Sequence, residues 1–240
     1  MSHLVVKAND LIAFDTYKMI LINALPHRPG QFIEIKVSDT MTPYLRRPLS
    51  VADYKNGELT LVYKVVGLGT KILSTVKPQS SLDVIEQLGN GFNLDTVEKN
   101  ITLIGGGCGC VPLLFLAKEL RLRGKTIKFI AGFQSSKDCF FVDEFSQLGA
   151  VKVITDDGTL GIQGNVITAM NHIIESYYYA VGPKSMLQAI ATISKWGQMS
   201  LEERMGCGFG ACMGCSIMTS QGIKRVCVDG PVFNTEDIIW

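Results

Sequence analysis

The sequence predicts an antiparallel β-barrel, then an α/β parallel-sheet domain, then a small C-terminal module built around cysteines. Three observations carry that reading: short alternating strands through the first part, a change near Ile101 to apolar strands separated by helices, and glycine-embedded cysteines beyond residue 205. The expected domains are residues 1–97, 98–204 and 205–240.

In the first part, apolar and polar residues alternate over 4–7, 18–23, 31–37 and 58–64, with Pro29-Gly30 and Asn56-Gly57 as turns. Asn-Gly suits the two-residue hairpin turn, which joins 49–53 to 58–66. Arg47-Pro48-Leu49-Ser50 lies between two expected strands. The fixed φ of proline holds a guanidinium and a hydroxyl a few residues apart, suited to a phosphate and a polar ring edge. Gly67-Leu68-Gly69-Thr70 precedes an expected short helix at 71–76 and offers another anion-binding turn. Singly, the arginine also reads as a surface salt bridge and the glycines as a plain loop.

From Ile101 the order becomes strand 101–104, glycine turn, helix 112–123, then strands 127–131, 151–154 and 177–181. Pro112 suits a first helical turn and Gly124 a helix end. The turn Gly105-Gly106-Gly107-Cys108-Gly109 follows a strand and opens a helix, where backbone can approach a pyrophosphate and the helix dipole favours anions. It is a G-x-G-x-x-P variant. No Asp or Glu stands at the tip of the next strand, Ala131-Gly132-Phe133-Gln134, so the usual ribose anchor is missing. That tip also lacks an arginine for a 2′-phosphate, which points to NADH over NADPH. Phosphate cradles in both parts suggest two dinucleotides.

Cys207, Cys212, Cys215 and Cys227 are spaced C-x4-C-x2-C-x11-C, with Gly206, Gly208, Gly210 and Gly214 between them. The first three spacings match a plant-type ferredoxin run, and each iron of a 2Fe-2S rhomb needs two thiolates. A structural zinc knot would instead favour two C-x2-C pairs, and only Cys212 and Cys215 form one. A disulfide framework ranks last for a long chain whose N-terminus shows no secretory pattern. Cys108, Cys110 and Cys139 read as small buried hydrophobes.

With 23 basic and 22 acidic residues the net charge is +1, which gives no field to gather nucleic acid or an anionic membrane. No apolar run approaches the ~20 residues of a spanning helix. A cytoplasmic protein is expected. His3, His27 and His172 are scattered and read as ordinary structural or surface residues.

The order Arg47-Pro48-Leu49-Ser50, Gly69-Thr70, the glycine turn and Val181-Gly182-Pro183 resembles the ferredoxin reductase superfamily. With the cysteine segment appended, nearly the whole chain resembles the electron-transfer subunits of NAD-dependent (class 1B) dihydroorotate dehydrogenase. The resemblance implies that Arg47 holds the flavin phosphate, that Ser50 approaches the isoalloxazine, and that Pro48, Leu49, Val62, Tyr63, Lys64, Gly69 and Thr70 are among the residues binding FAD. It implies that Gly107, Gly109, Gly182 and Pro183 receive NAD, and that the four cysteines hold a 2Fe-2S cluster. Leu49 stands where many relatives have a tyrosine, and Val181 where many have a cysteine. Asp156-Asp157-Gly158 resembles a loop of the group and fits a solvated turn equally.

The implied partner is an FMN-containing dihydroorotate dehydrogenase catalytic subunit, two of each subunit together, with dihydroorotate oxidised on the partner and NAD+ as final acceptor. A flavin takes two electrons and returns them singly, so it joins a hydride donor to a one-electron cluster without a general acid or base. Two rivals keep the cofactors: the reductase subunit of an NADPH-dependent ferredoxin or sulfide-metabolising complex, and a flavin and iron-sulfur redox sensor without turnover.

Overall fold

The computed structural model describes residues 2–170 and 176–240. Strands β1 (Ser2–Ala13), β2 (Thr16–Ile22), β3 (Phe32–Ile35), β4 (Arg47–Lys55), β5 (Glu58–Lys64) and β6 (Ser81–Leu88) close into a barrel in the order β1-β2-β5-β4-β3-β6. All its ladders are antiparallel. Strand alternation turns Leu4, Val6, Met19, Leu21, Leu59 and Leu61 into one core. Asn56 and Gly57 take φ of 51° and 83°, the positive values a tight hairpin turn needs.

Two local expectations change. Arg47–Ser50 is the first half of β4 rather than a connection between strands. Proline is tolerated there because this half pairs only with β3, while β5 joins from Val51 onward. Helix α1 (Leu68–Ser74) also begins before the expected residue 71. The Thr70 hydroxyl accepts from the amides of Val66 at 2.9 Å and Gly67 at 3.3 Å, which closes the helix start at Gly67.

The second part runs β7 (Asn100–Gly106), α2 (Cys110–Leu122), β8 (Thr126–Phe133), α3 (Val142–Leu148), β9 (Ala150–Thr155), β10 (Ile162–Gln163), α4 (Val166–Ala169), β11 (Tyr177–Val181), α5 (Lys184–Ile193) and β12 (Gly197–Ser200). A two-stranded ribbon follows, β13 (Ser216–Thr219) with β14 (Gly222–Arg225). Strand β15 (Val232–Asn234) then returns antiparallel to β12, so the sheet reads β10-β9-β8-β7-β11-β12-β15. The chain beyond the cysteines is thereby tied into the nucleotide-side sheet.

Packing joins the three parts. Helix α2 is apolar on nearly every face because it is sandwiched: Leu113, Leu116 and Leu120 pack with the sheet, while Phe115 enters the barrel core. Phe32 of β3 shares a core with Ile104 of β7 and with Cys215 and Cys227. Ion pairs cross the same boundary, Lys118 Nζ to Asp53 Oδ2 at 2.5 Å and Lys64 Nζ to Asp138 Oδ1 at 2.6 Å.

Candidate functional site: three adjoining binding places

The first place is a gap in the barrel wall. The β4–β5 ladder stops at Val51 opposite Leu61. Beyond it, Arg47–Ser50 pairs with β3 and Val62–Lys64 pairs with β2. Two strand edges therefore face one opening, each with backbone groups open to a partner. A flat polar ring matches that opening. At its end a side chain on Gly69 would put Cβ 2.2 Å from Arg47 Nε, so only glycine lets the guanidinium lie against α1. Arg47 Nη1 donates to the Leu45 carbonyl at 2.5 Å, which fixes the fork. Val62 and Tyr63 are buried; the Tyr63 hydroxyl donates to Asn9 Oδ1 at 2.9 Å and its ring stacks on Tyr17. Burial, the larger influence, raises the Tyr63 pKa despite the Asn9 bond. What these two residues present to the gap is main chain.

The second place is a cavity of about 800 Å³ between barrel and sheet. β7 has β8 on one side and β11 on the other, so the chain reverses its winding at β7, and ligands settle outside the strand ends at such a point. The walls include Gly107, Gly109, Gly182 and Pro183, with Thr16 and Lys64 contributed by the barrel. Gly109 lies against β11: a Cβ there would stand 2.1 Å from the Val181 carbonyl oxygen. The turn and the Gly182-Pro183 loop, far apart in sequence, are thus one surface at the start of α2. A pyrophosphate fits amides arranged this way.

The extra cysteines divide. Cys110 is buried, as expected, and burial raises its thiol pKa. Cys139 is half-buried, its pKa pushed up to about 11 by burial and then by Asp138 and Asp157. Cys108 departs from the expectation: the positive φ of Gly107 swings it outward, and it stands exposed on the cavity wall. Glu202 also reaches this cavity; water touches it, yet the surrounding protein desolvates the carboxyl and raises its pKa. Sequence reasoning missed Glu202 because nothing in its neighbourhood marks a strand end.

The third place is the cysteine loop. Cys215 Sγ and Cys227 Sγ lie 3.3 Å apart, and the Cys212 amide donates to Cys207 Sγ at 3.3 Å. The Cys207 and Cys212 side chains also hydrogen-bond each other, so the four sulfurs come as two pairs. No three described His, Cys, Asp or Glu side chains gather as ligands of one metal ion. A two-iron rhomb asks for pairs, one per iron, so the donor set fits it. Burial would raise the Cys207 pKa, but amides of Cys212, Phe209 and Ala211 outweigh it and bring the thiol down to about 6. These are the donors an iron-bound thiolate uses. Cys227 is pushed up to about 12 by burial and by Cys215, so iron itself must displace that proton.

Glu34 connects the first and third places. It is 2% exposed, it faces Pro48 across the β3–β4 ladder, and its Oε1 would be 2.3 Å from a Cβ on Gly208. Burial is the main reason its pKa is pushed up to about 7, with Arg46 opposing and Cys207 adding to it. One signal was legible: a single charge inside the apolar run Phe32-Ile33-Glu34-Ile35. The two described histidines stay outside all three places. His3 is exposed on β1, His27 is buried between Leu25 and Gln87, and His172 lies outside the described residues.

A family model for the iron-sulfur cluster binding domain of dihydroorotate dehydrogenase B matches residues 202–239. The chain is 41% identical over 251 residues to a Bacillus pumilus protein named the electron transfer subunit of dihydroorotate dehydrogenase B (NAD(+)), covering 99% of this chain and 97% of that one. A Fusobacterium nucleatum protein of the same name is 38% identical over 249 residues, covering 97% and 96%. Among solved structures, that of an NADH-dependent reduced ferredoxin-NADP oxidoreductase is 31% identical with a TM-score of 0.87, covering 100% of this chain and 91% of that one. Phthalate dioxygenase reductase shares the fold at 16% identity, with a TM-score of 0.71 over 91% of this chain and 86% of its own. With its paired thiolates, glycine turn and opened barrel, the chain belongs to the family of dihydroorotate dehydrogenase B electron-transfer subunits.

Proposed function

We propose that this chain is the electron-transfer subunit that carries electrons between an FMN-containing dihydroorotate dehydrogenase subunit and NAD+, through a 2Fe-2S cluster and FAD, in pyrimidine biosynthesis. One observation carries the reading. Glu34 links Pro48, at the barrel gap, to Gly208, beside Cys207, while Lys64 borders both the gap and the nucleotide cavity. Three binding places in contact make a relay. When bound, nicotinamide and flavin exchange electrons in pairs and the cluster handles them singly.

The chain's own residues position and insulate. Arg47 holds the flavin phosphate; Pro48, Leu49 and Ser50 on one edge and Val62, Tyr63 and Lys64 on the other flank the ring, with Gly69 and Thr70 closing the end. Gly107, Gly109, Gly182 and Pro183 receive NAD. Cys207 and Cys212 serve one iron, Cys215 and Cys227 the other. The latter pair is only 1% and 2% exposed and packs with Phe32, so that side of the cluster faces the protein interior. Residues 1–97, 98–204 and 205–240 act as the flavin, nucleotide and cluster units. Two of these chains join two catalytic subunits in the cytoplasm; no described helix is long and apolar enough to cross a membrane.

The test is an anaerobic titration of the purified protein with NADH, followed by addition of the FMN subunit and dihydroorotate. Bleaching of both flavin and cluster absorbance, then dihydroorotate-dependent reduction of NAD+ by the reassembled complex, is expected. No bleaching would mean a sensor without turnover. Bleaching without coupling to any dihydroorotate-oxidising partner would move the chain to another reductase system.

A further inference from the structure

We propose that the base of the parallel sheet carries a further binding site, an aromatic corner bordered by carboxylates that takes the cationic head of an alkylammonium ligand. The site is a cavity of about 250 Å³ whose walls include Asn93, Asp95, Glu98, Tyr177, Trp196 and Gln198. It stands apart from the nucleotide cavity. Tyr177 opens β11 and Val181 closes it beside Gly182, so four strand steps, about 13 Å, separate the two, and no described residue lines both. Pockets for whole drug-sized ligands run to about 300–1,000 Å³, so this one suits a head group.

The walls are held in place before any ligand arrives. The rings of Tyr177 and Trp196 stand with centroids 6.0 Å apart at 88°, the two sides of a corner. Gln198, 4% exposed, locks the tyrosine side: its Oε1 accepts from the Asn93 amide at 3.0 Å and its Nε2 donates to the Tyr177 hydroxyl at 3.1 Å. Tyr179 backs Tyr177 edge to face at 5.3 Å, and its own hydroxyl donates to the Asn93 carbonyl at 2.8 Å. Such bracing removes ordering cost from binding. Trp196 is 46% exposed, so the corner is open to a ligand from solvent.

Charge gives the ligand its sign. The charged residues among the described lining are Asp95 and Glu98, and no described lysine or arginine lines the cavity. Asp95 pairs with Arg123 at 2.8 Å, whereas the Glu98 carboxylate has no ion-pair partner among the described residues. Lys125 Nζ is turned to the Thr96 and Glu98 carbonyls, at 2.5 and 2.9 Å, and stays outside the lining. Glu236 adds negative charge near the tyrosine: burial chiefly raises the Tyr177 pKa, Gln198 opposes and Glu236 reinforces it. The face of an aromatic ring is negative, so two rings at a right angle and a free carboxylate attract a cation. An ammonium shielded by alkyl groups gives up less hydration on entering than a bare one.

The test is a titration of the flavin- and cluster-loaded protein with choline, followed through the indole N–H signals in NMR. The chain has two tryptophans, and Trp240, which does not line this cavity, serves as the internal control. Choline should shift the Trp196 signal saturably and leave that of Trp240 in place. Its neutral isostere, with carbon in place of the ammonium nitrogen, should bind about tenfold or more weakly. Glu98→Gln should weaken choline about two- to fivefold, with flavin absorbance and the Trp240 signal unchanged as proof of folding. A trimethyllysine residue blocked at both ends is titrated in parallel: tighter binding than choline assigns the site to a protein-borne side chain and weaker binding to a free cation, and either supports it. An equal response to choline and its isostere would reduce the corner to an apolar crevice and overturn the proposal, as would the absence of any saturable shift. Neither result bears on reduction by NADH, which is read from flavin and cluster absorbance.

Discussion

Arg47 and Gly69 act as one device, since the guanidinium lies in the space a side chain at 69 would fill. On the proposed role of Arg47, Arg47→Ala removes a charge-assisted phosphate contact worth about 1.5–3 kcal/mol, so FAD should dissociate roughly 10- to 150-fold more readily in a flavin-release assay. Gly69→Ala should do nearly the same while leaving the charge in place, because the fork is pushed off its seat. Undiminished flavin content in both would remove Arg47 from the site. For the cysteines, Cys212→Ala should abolish the cluster's visible absorption and leave FAD bound. Loss of both chromophores together would mean that the cluster loop and barrel gap fold as one. The four cysteines, Arg47 and the glycine turn stand out in the sequence as candidates because each belongs to a local pattern with a chemical purpose. Glu34 was harder to read, since a carboxylate gains its meaning from what lies across a ladder.

At the scale of elements, α1 and β4 show how neighbours move a boundary. Helix α1 starts early because Thr70 caps Gly67, a bond that sequence spacing permits but does not impose. Thr70→Val should therefore cost about 1 kcal/mol of stability, read as a lowered denaturation midpoint. β4 absorbs Pro48 because a half-paired strand tolerates a missing donor. The loop between β2 and β3 is held by His27, whose Nδ1 lies 2.7 Å from the Leu25 carbonyl and whose Nε2 accepts from the Gln87 amide at 3.2 Å. Burial lowers its pKa below 6.5, against smaller opposing effects of Leu25 and Glu86. The folded state thus binds this proton less readily than the unfolded one. Its contribution to stability is complete above about pH 6.5 and is lost as pH falls below that toward the folded pKa. Denaturant midpoints measured across that window should fall for the wild type and fall less for His27→Gln.

Across the whole molecule, shared cores make the three parts one body. Phe115 of α2 lies in the barrel core and Phe32 of the barrel lies in the core around Cys215 and Cys227. Phe115→Ala should cost about 3–5 kcal/mol, and loss of flavin fluorescence quenching and loss of helical circular dichroism should still coincide on heating. Separate transitions would show that barrel and sheet unfold independently. The sequence by itself determined the strand-to-helix change at Ile101, the glycine turn between strand and helix at Gly105–Gly109 and the iron-sulfur character of the cysteine segment, because each is written in spacing and in backbone conformations that few residues permit. Only the tertiary structure decided that β4 joins β5 only from Val51 onward, that Glu34 bridges to Gly208, that β15 returns to the sheet and that Asp156 stands beside Gln134. Those relations depend on register and on which strands become neighbours. Both are set by burying side chains far apart along the chain, and no local window of sequence contains them.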